Sequence, residues 1–314
     1  MRKSGFYDIV RTEYLHISLP ETGHFSIGTS PYYAHQHGLA IDIYQNLSLE
    51  NYEVLSPVAG KVLKIKPLIA PKPKFIGGIA KDFLILINNP SNPKLIWKLM
   101  HVKPSIRVGD EINIADPLGK TIRNGYFAYW SSPHLHLEVR PSDDAIRARG
   151  GKNFTLISET EENQGDVKKK LDYRDVPVEI VEVHPEFLLV RFPESFYYKI
   201  TPIHGIRVVV NQDYCLLDGG IPHYKVGTVI SDQYHLFKVN NSVYLGTKKI
   251  GTLHETKEQF GFLKFNSIKF FINDKEIRGI SLYLAKFLPL VKIIPYEKKQ
   301  FSFKPNSIQC LSIS

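Results

Sequence analysis

Cysteine, tryptophan and methionine are scarce in this chain, two of each among 314 residues. Two cysteines, Cys215 and Cys310, cannot supply a disulfide framework, and whether they pair is not legible from their positions. Long apolar runs are missing as well, and no window approaches the roughly eighteen residues that a membrane-spanning helix needs. The N-terminal Met-Arg-Lys-Ser-Gly-Phe-Tyr-Asp-Ile-Val-Arg has basic residues but no apolar stretch behind them, so it is no recognisable secretory signal. These absences predict a cytoplasmic protein without a membrane span. Within residues 1–150 no stretch has long, clean helical periodicity.

What is present points to strands. The composition is 43% hydrophobic and 23% charged, ordinary for a globular protein, and the length suits two domains. Eighteen Phe, seventeen Tyr and abundant Ile and Val favour extended structure. The net charge of +9 divides evenly: 18 basic against 13 acidic residues in 1–150, and 22 against 18 in the remainder. So even a spread lacks the basic stripe of a phosphate-binding surface, which argues against a nucleic-acid partner.

Within 1–150, alternating or β-branched runs occur at 53–58, 60–65, 83–87, 95–101, 111–114 and 134–139. Turn residues separate them, among them Gly60, Gly77-Gly78, the Asn88–Pro93 cluster and Gly109. The expectation is an antiparallel all-β domain. A polar stretch at 159–170 sits in a predicted linker, 151–174. Strand signals resume at 178–183, 187–192, 206–210, 225–230, 235–239, 262–265, 268–272 and 291–295, with one helical candidate near 279–287. Residues 175–314 thus read as a second β-rich domain with no identifiable chemistry.

The chemistry lies in three histidines and an aspartate. In Pro133-His-Leu-His-Leu-Glu-Val-Arg140, strand alternation turns His134 and His136 to one face and Leu135, Leu137 and Val139 to the other. Asp42 stands inside the apolar run Leu39-Ala-Ile-Asp-Ile-Tyr44, where a carboxylate is costly unless paired or ligating a metal. Two imidazoles on one strand face, with a further His and an Asp near in space, would make the three-ligand, open-cornered site of a catalytic zinc.

Four ordered blocks carry a resemblance. They are His37-Gly-Leu-Ala-Ile-Asp42; Ser56-Pro-Val-Ala-Gly-Lys-Val62; His101 followed by Val108-Gly-Asp-Glu-Ile-Asn-Ile-Ala-Asp-Pro-Leu-Gly119; and Ser132-Pro-His-Leu-His-Leu-Glu-Val-Arg140. Over about 34–141 the chain resembles the lysostaphin/LytM-type zinc metallopeptidases, which cleave peptide bonds in cell-wall peptidoglycan. The resemblance implies an antiparallel lysostaphin-type (duplicated hybrid motif-like) peptidase domain. It implies a Zn2+ ion held by His37, Asp42 and His136, and hydrolysis by a zinc-bound water with His101 and His134 as the catalytic pair. The substrate that the resemblance implies is a peptide of cell-wall type.

The pattern departs from that family at two places. The first His usually precedes the Asp by four residues, whereas His37 and Asp42 are five apart; a one-residue bulge would restore convergence, and His35 is a rival ligand. The segment before His-x-His is aromatic here, with Tyr126, Phe127, Tyr129 and Trp130, so it either packs internally or lines a substrate groove. Glu138 shares the histidine face and is a candidate to orient a ligand, and Arg140 a candidate for a salt bridge. His16, His24, His184, His204, His223, His235 and His254 are scattered and read as structural. Two alternatives to a peptidase stay open: a non-catalytic module that retains the metal, and a polyanion-binding protein. Oligomeric state is not legible.

Overall fold

The structure, a computed structural model, describes residues 5–158, 171–233 and 235–314; the polar stretch 159–170 lies outside them. Its regular secondary structure is almost wholly β-strand. Two compact units emerge, one of Met1–Phe25 with Tyr33–Ile157, the other of Ser26–Tyr32 with Ser158–Ser314. Beside the expected division into 1–150, a linker at 151–174 and 175–314, the second unit here also takes in Ser26–Tyr32. There the backbone N–H groups of Ile27 and Gly28 donate to Asp218 Oδ2, at 2.6 and 2.8 Å. Among the described residues no helix is long and apolar enough to cross a membrane.

Up to residue 141 the elements are β1 (Phe6–Arg11), β2 (His16–Pro20), β3 (His24–Ser26), α1 (Tyr33–Gln36), β4 (Ala40–Tyr44), β5 (Glu53–Leu55), β6 (Gly60–Ile69), β7 (Lys81–Asn88), β8 (Leu95–Met100), β9 (Val102–Pro104), β10 (Glu111–Ile112), β11 (Pro117–Thr121) and β12 (Leu135–Pro141). β12 runs antiparallel to β4 on one side and β8 on the other. β8 pairs with β7, and β7 with β6, also antiparallel. β5, β11 and β9 form a smaller sheet, and β1 and β2 a hairpin.

β12 is central because its odd positions are purely apolar. Leu135, Leu137 and Val139 are essentially inaccessible, as are Ile41 on β4 and Leu99 on β8. Fully burying each such side chain contributes about 1.5–3 kcal/mol. Strand alternation then commits the even positions, 134 to 140, to the opposite face, which is where the chemistry lies.

In the second unit, Asp213–Ile221 pairs with Ile203–Val210, Val226–Ile230 and Gly279–Leu282, all antiparallel, over a core that includes Val208, Leu217, Val229, Ile280 and Leu282. Two expectations are corrected here. Residues 279–287 form strands Gly279–Leu282 and Leu284–Ala285, not a helix. Paired with strands on both sides, Gly279–Leu282 is buried at all four positions, Ser281 included, so no exposed face marks a period that would distinguish the two states. Residues 235–239 form no strand; they lie outside strands after Val226–Ile230 ends, and the φ of His235 is +64°.

Candidate metal centre

Register builds the site. Asp42 on β4 lies directly opposite His136 on β12, and His136 in turn lies opposite Met100 on β8, the residue before His101. β8 ends there because His101 takes a left-handed backbone, φ +68°, which turns the chain out of the ladder. His134, just ahead of β12, shares the face of His136.

The third corner comes from α1. His35 Nε2 lies 3.1 Å from His136 Nδ1 and 3.2 Å from Asp42 Oδ1, and His136 Nδ1 lies 2.9 Å from the same oxygen. His35, Asp42 and His136 are buried and could hold a metal ion. His37 is placed elsewhere: its ring packs on Tyr33, with centroids 4.3 Å apart. The structure thus gathers His35, the rival, with Asp42 and His136, and does not bring His37 into that group. At about 100° per residue, a helical turn sends positions 35 and 37 to opposite sides, whereas a strand would align them.

The donor set suits a cation. Two imidazole nitrogens and one carboxylate oxygen are good zinc ligands. A tetrahedral ion with zinc-like bonds needs ligand-to-ligand edges of about 3.3 Å, close to the 2.9, 3.1 and 3.2 Å here. Burial alone would push the Asp42 carboxyl up. The imidazoles of His134 and His35 and the bond from His136 instead hold it well below the usual carboxylate range. Burial likewise disfavours charge on His136, but Asp42 and Glu138 outweigh it and raise that ring to about 9. A cation entering the triangle therefore replaces a proton on His136.

Behind His136 runs a buried polar line. Its Nε2 lies 3.1 Å from Glu138 Oε1, which also accepts from Lys98 Nζ at 2.8 Å, while Arg140 donates to Glu138 Oε2 at 3.1 Å. Burial would raise the Glu138 carboxyl, yet its bonds to His136 and Lys98 bring it down to about 2. The even-numbered face of β12 is thus a hydrogen-bonded chain that leaves His136 Nδ1 facing Asp42.

His134 and His101 stand beside the triangle with rings 5.4 Å apart. His134 Nδ1 donates to the Ser132 carbonyl at 2.9 Å, which turns Nε2 toward Asp42 Oδ2, 3.4 Å away. Burial, helped by the neighbouring His101 and His136, brings this ring down to about 4 despite Asp42, so it is neutral at pH 7. Tyr44 and Phe127 flank it at 4.8 and 4.7 Å between centroids. Of the aromatic segment, Phe127 and Tyr126 reach His101, while Tyr129 and Trp130 meet edge to face.

One residue at the site was not singled out from the sequence. Asp82, fully buried at the start of β7, accepts the backbone N–H of His101 on Oδ1 at 2.9 Å and its Nδ1–H on Oδ2 at 2.7 Å. Its signal was available: like Asp42, it is a lone carboxylate opening onto an apolar strand.

Two family models match the chain: Domain of unknown function (DUF8155) N-terminal domain over residues 2–156, and Domain of unknown function (DUF8155) C-terminal domain over residues 175–306. Among curated proteins none matches. Among solved structures, the NMR solution structure of lysostaphin aligns over 78% of this chain and 95% of that one, at 16% identity and a TM-score of 0.26. A superposition that loose carries no argument about fold or chemistry. The family matched is therefore not the one the motifs resemble: this chain belongs to the DUF8155 family and carries its N-terminal and C-terminal domains in order.

Proposed function

We propose that the first unit is a zinc-dependent hydrolase of peptide bonds. The observation that carries this reading is the His35–Asp42–His136 triangle with two further imidazoles against it. When bound, zinc supplies Lewis-acid chemistry and acidifies water near neutral pH. His101, with Nδ1–H committed to Asp82, keeps Nε2 as an acceptor, and His134 does the same with Nδ1–H committed to the Ser132 carbonyl. Each can take up or release a proton at Nε2. The four sequence blocks support a peptide, of cell-wall type, as substrate.

The test is metal content together with hydrolysis of a peptide panel that includes Gly-rich cross-links. One zinc per chain with turnover is expected, and loss of both in His136→Ala. A chain that binds zinc but cleaves no peptide would be a metal-retaining binding module. Zinc content unchanged in His136→Ala would reject the ligand set.

A further inference from the structure

We propose that the β6–β7 hairpin docks the first unit onto an anionic lipid surface. Counted by halves, the chain's positive charge looks evenly spread; counted along the fold, it is not. Residues 60–81 carry six lysines (Lys61, Lys64, Lys66, Lys72, Lys74 and Lys81), all exposed, and no acidic residue. The rest of 1–150 then has 12 basic against 13 acidic residues, so the hairpin supplies all of that half's excess.

The same hairpin carries the two most exposed large hydrophobic side chains among the described residues, Ile76 at 96% and Ile69 at 92%. Single exposed apolar residues are ordinary; two such isoleucines within one lysine-rich hairpin are not. The loop is held from below. The Arg123 guanidinium lies over the Phe75 ring at 4.3 Å, and Ile79 N–H donates to the Arg123 carbonyl at 3.0 Å. Gly125 sits so tightly against Pro71 that a Cβ there would lie 2.0 Å from the Pro71 oxygen. Phe75 is thus turned in under Arg123 while its neighbour Ile76 is left in water.

Lysines that attract anionic headgroups, around apolar tips that enter the acyl boundary, are what an interfacial anchor needs. A soluble polyanion would use the lysines and gain nothing from Ile69 and Ile76, which decides between the two. From the hairpin the chain passes directly into Asp82, which holds His101.

The experiment is co-sedimentation of the full chain with phosphatidylcholine vesicles containing 30% phosphatidylglycerol, and with pure phosphatidylcholine. Binding to the anionic vesicles alone is expected, weakening with salt. Lys72→Glu with Lys74→Glu should weaken it at least 25-fold, at roughly five-fold per lysine. Ile69→Ser with Ile76→Ser should weaken it at least ten-fold. All four positions are exposed, so circular dichroism and thermal midpoint should stay at wild-type values. Failure of the wild-type chain to sediment with anionic vesicles would overturn the proposal. So would vesicle binding indifferent to the isoleucine changes, or tighter binding to duplex DNA than to vesicles, either of which marks a soluble-polyanion site.

Discussion

Replacing Asp82 by Asn should invert the His101 tautomer while leaving the fold in place. Oδ1 of Asp82 accepts two backbone N–H groups, from Phe83 at 2.8 Å and His101 at 2.9 Å, and Oδ2 accepts Nδ1–H of His101 at 2.7 Å. An asparagine can serve the two amides only by pointing its carbonyl at them, which aims its NH2 at Nδ1. The opposite orientation strands buried donors against donors, at about 1–3 kcal/mol, so the first should dominate by about five-fold or more. His101 must then carry its proton on Nε2 and can no longer accept one there. General-base assistance contributes about 10²–10⁴-fold, and kcat on any peptide the wild type cleaves should fall by that much. An Asp-to-Asn change in the serine-protease triad has the same tautomeric effect. Nitrogen-15 spectra of labelled histidine report the tautomer directly, and zinc content should not change. An Nε2–H signal for His101 in the wild type, or no inversion in Asp82→Asn, would refute the reasoning whether or not the chain is a peptidase.

The choice between the two rival ligands is open to direct measurement: His35→Ala should lose bound zinc, whereas His37→Ala should keep it, by elemental analysis after dialysis. Glu138→Gln should weaken zinc binding about ten-fold, the low end for an orienting partner, because a carbonyl still reaches His136; competition with a chromophoric chelator measures this. In the second unit, burial and the charges of Arg278 and Lys292 bring His223 down from 6.5 to about 3, despite a bond to the Ile221 backbone. Its folded form resists protonation, so stability should be full above about pH 6.5 and fall as pH drops toward 3. At pH 4.5 the loss is about 2.7 kcal/mol, two pH units at 1.36 each. The gap in stability between pH 7 and 4.5, measured by urea unfolding, should therefore narrow by about that amount in His223→Gln, and an unchanged gap would remove this role.

Much of the site was legible because it lies on a strand. Alternation placed His134, His136 and Glu138 on one face of β12 without further information, and the apolar surroundings of Asp42 marked it as a residue needing a partner. His35 was legible only as a rival. A helix of four residues is too short to imprint a 3.6-residue period, so nothing in the sequence said that 35 rather than 37 turns inward. Asp82 was equally legible in Lys81-Asp-Phe-Leu-Ile-Leu-Ile87, where, as with Asp42, a buried carboxylate beside an apolar run needs a partner. The fully buried strand at 279–282 and the loop at 235–239 were misread for opposite reasons. The first is buried at every position, so no exposed face marks it, and the second carries apolar residues without lying in a strand.

β12 couples the fold to the candidate chemistry through its register. Its odd side chains belong to the apolar core, and a slip of one residue would drive His134, His136, Glu138 and Arg140 into that core. The apolar face therefore sets where His136 meets Asp42 more firmly than any contact within the site does. The buried line of Lys98, Glu138 and Arg140 answers a different need. Ion pairs withdrawn from water gain little over apolar residues of similar size, so stability alone gives no reason for three charged groups beside a hydrophobic sheet. An apolar replacement could not accept a hydrogen bond from His136 Nε2. With that bond in place, Nδ1 is the nitrogen that faces Asp42 and His35, and the triangle has its third donor.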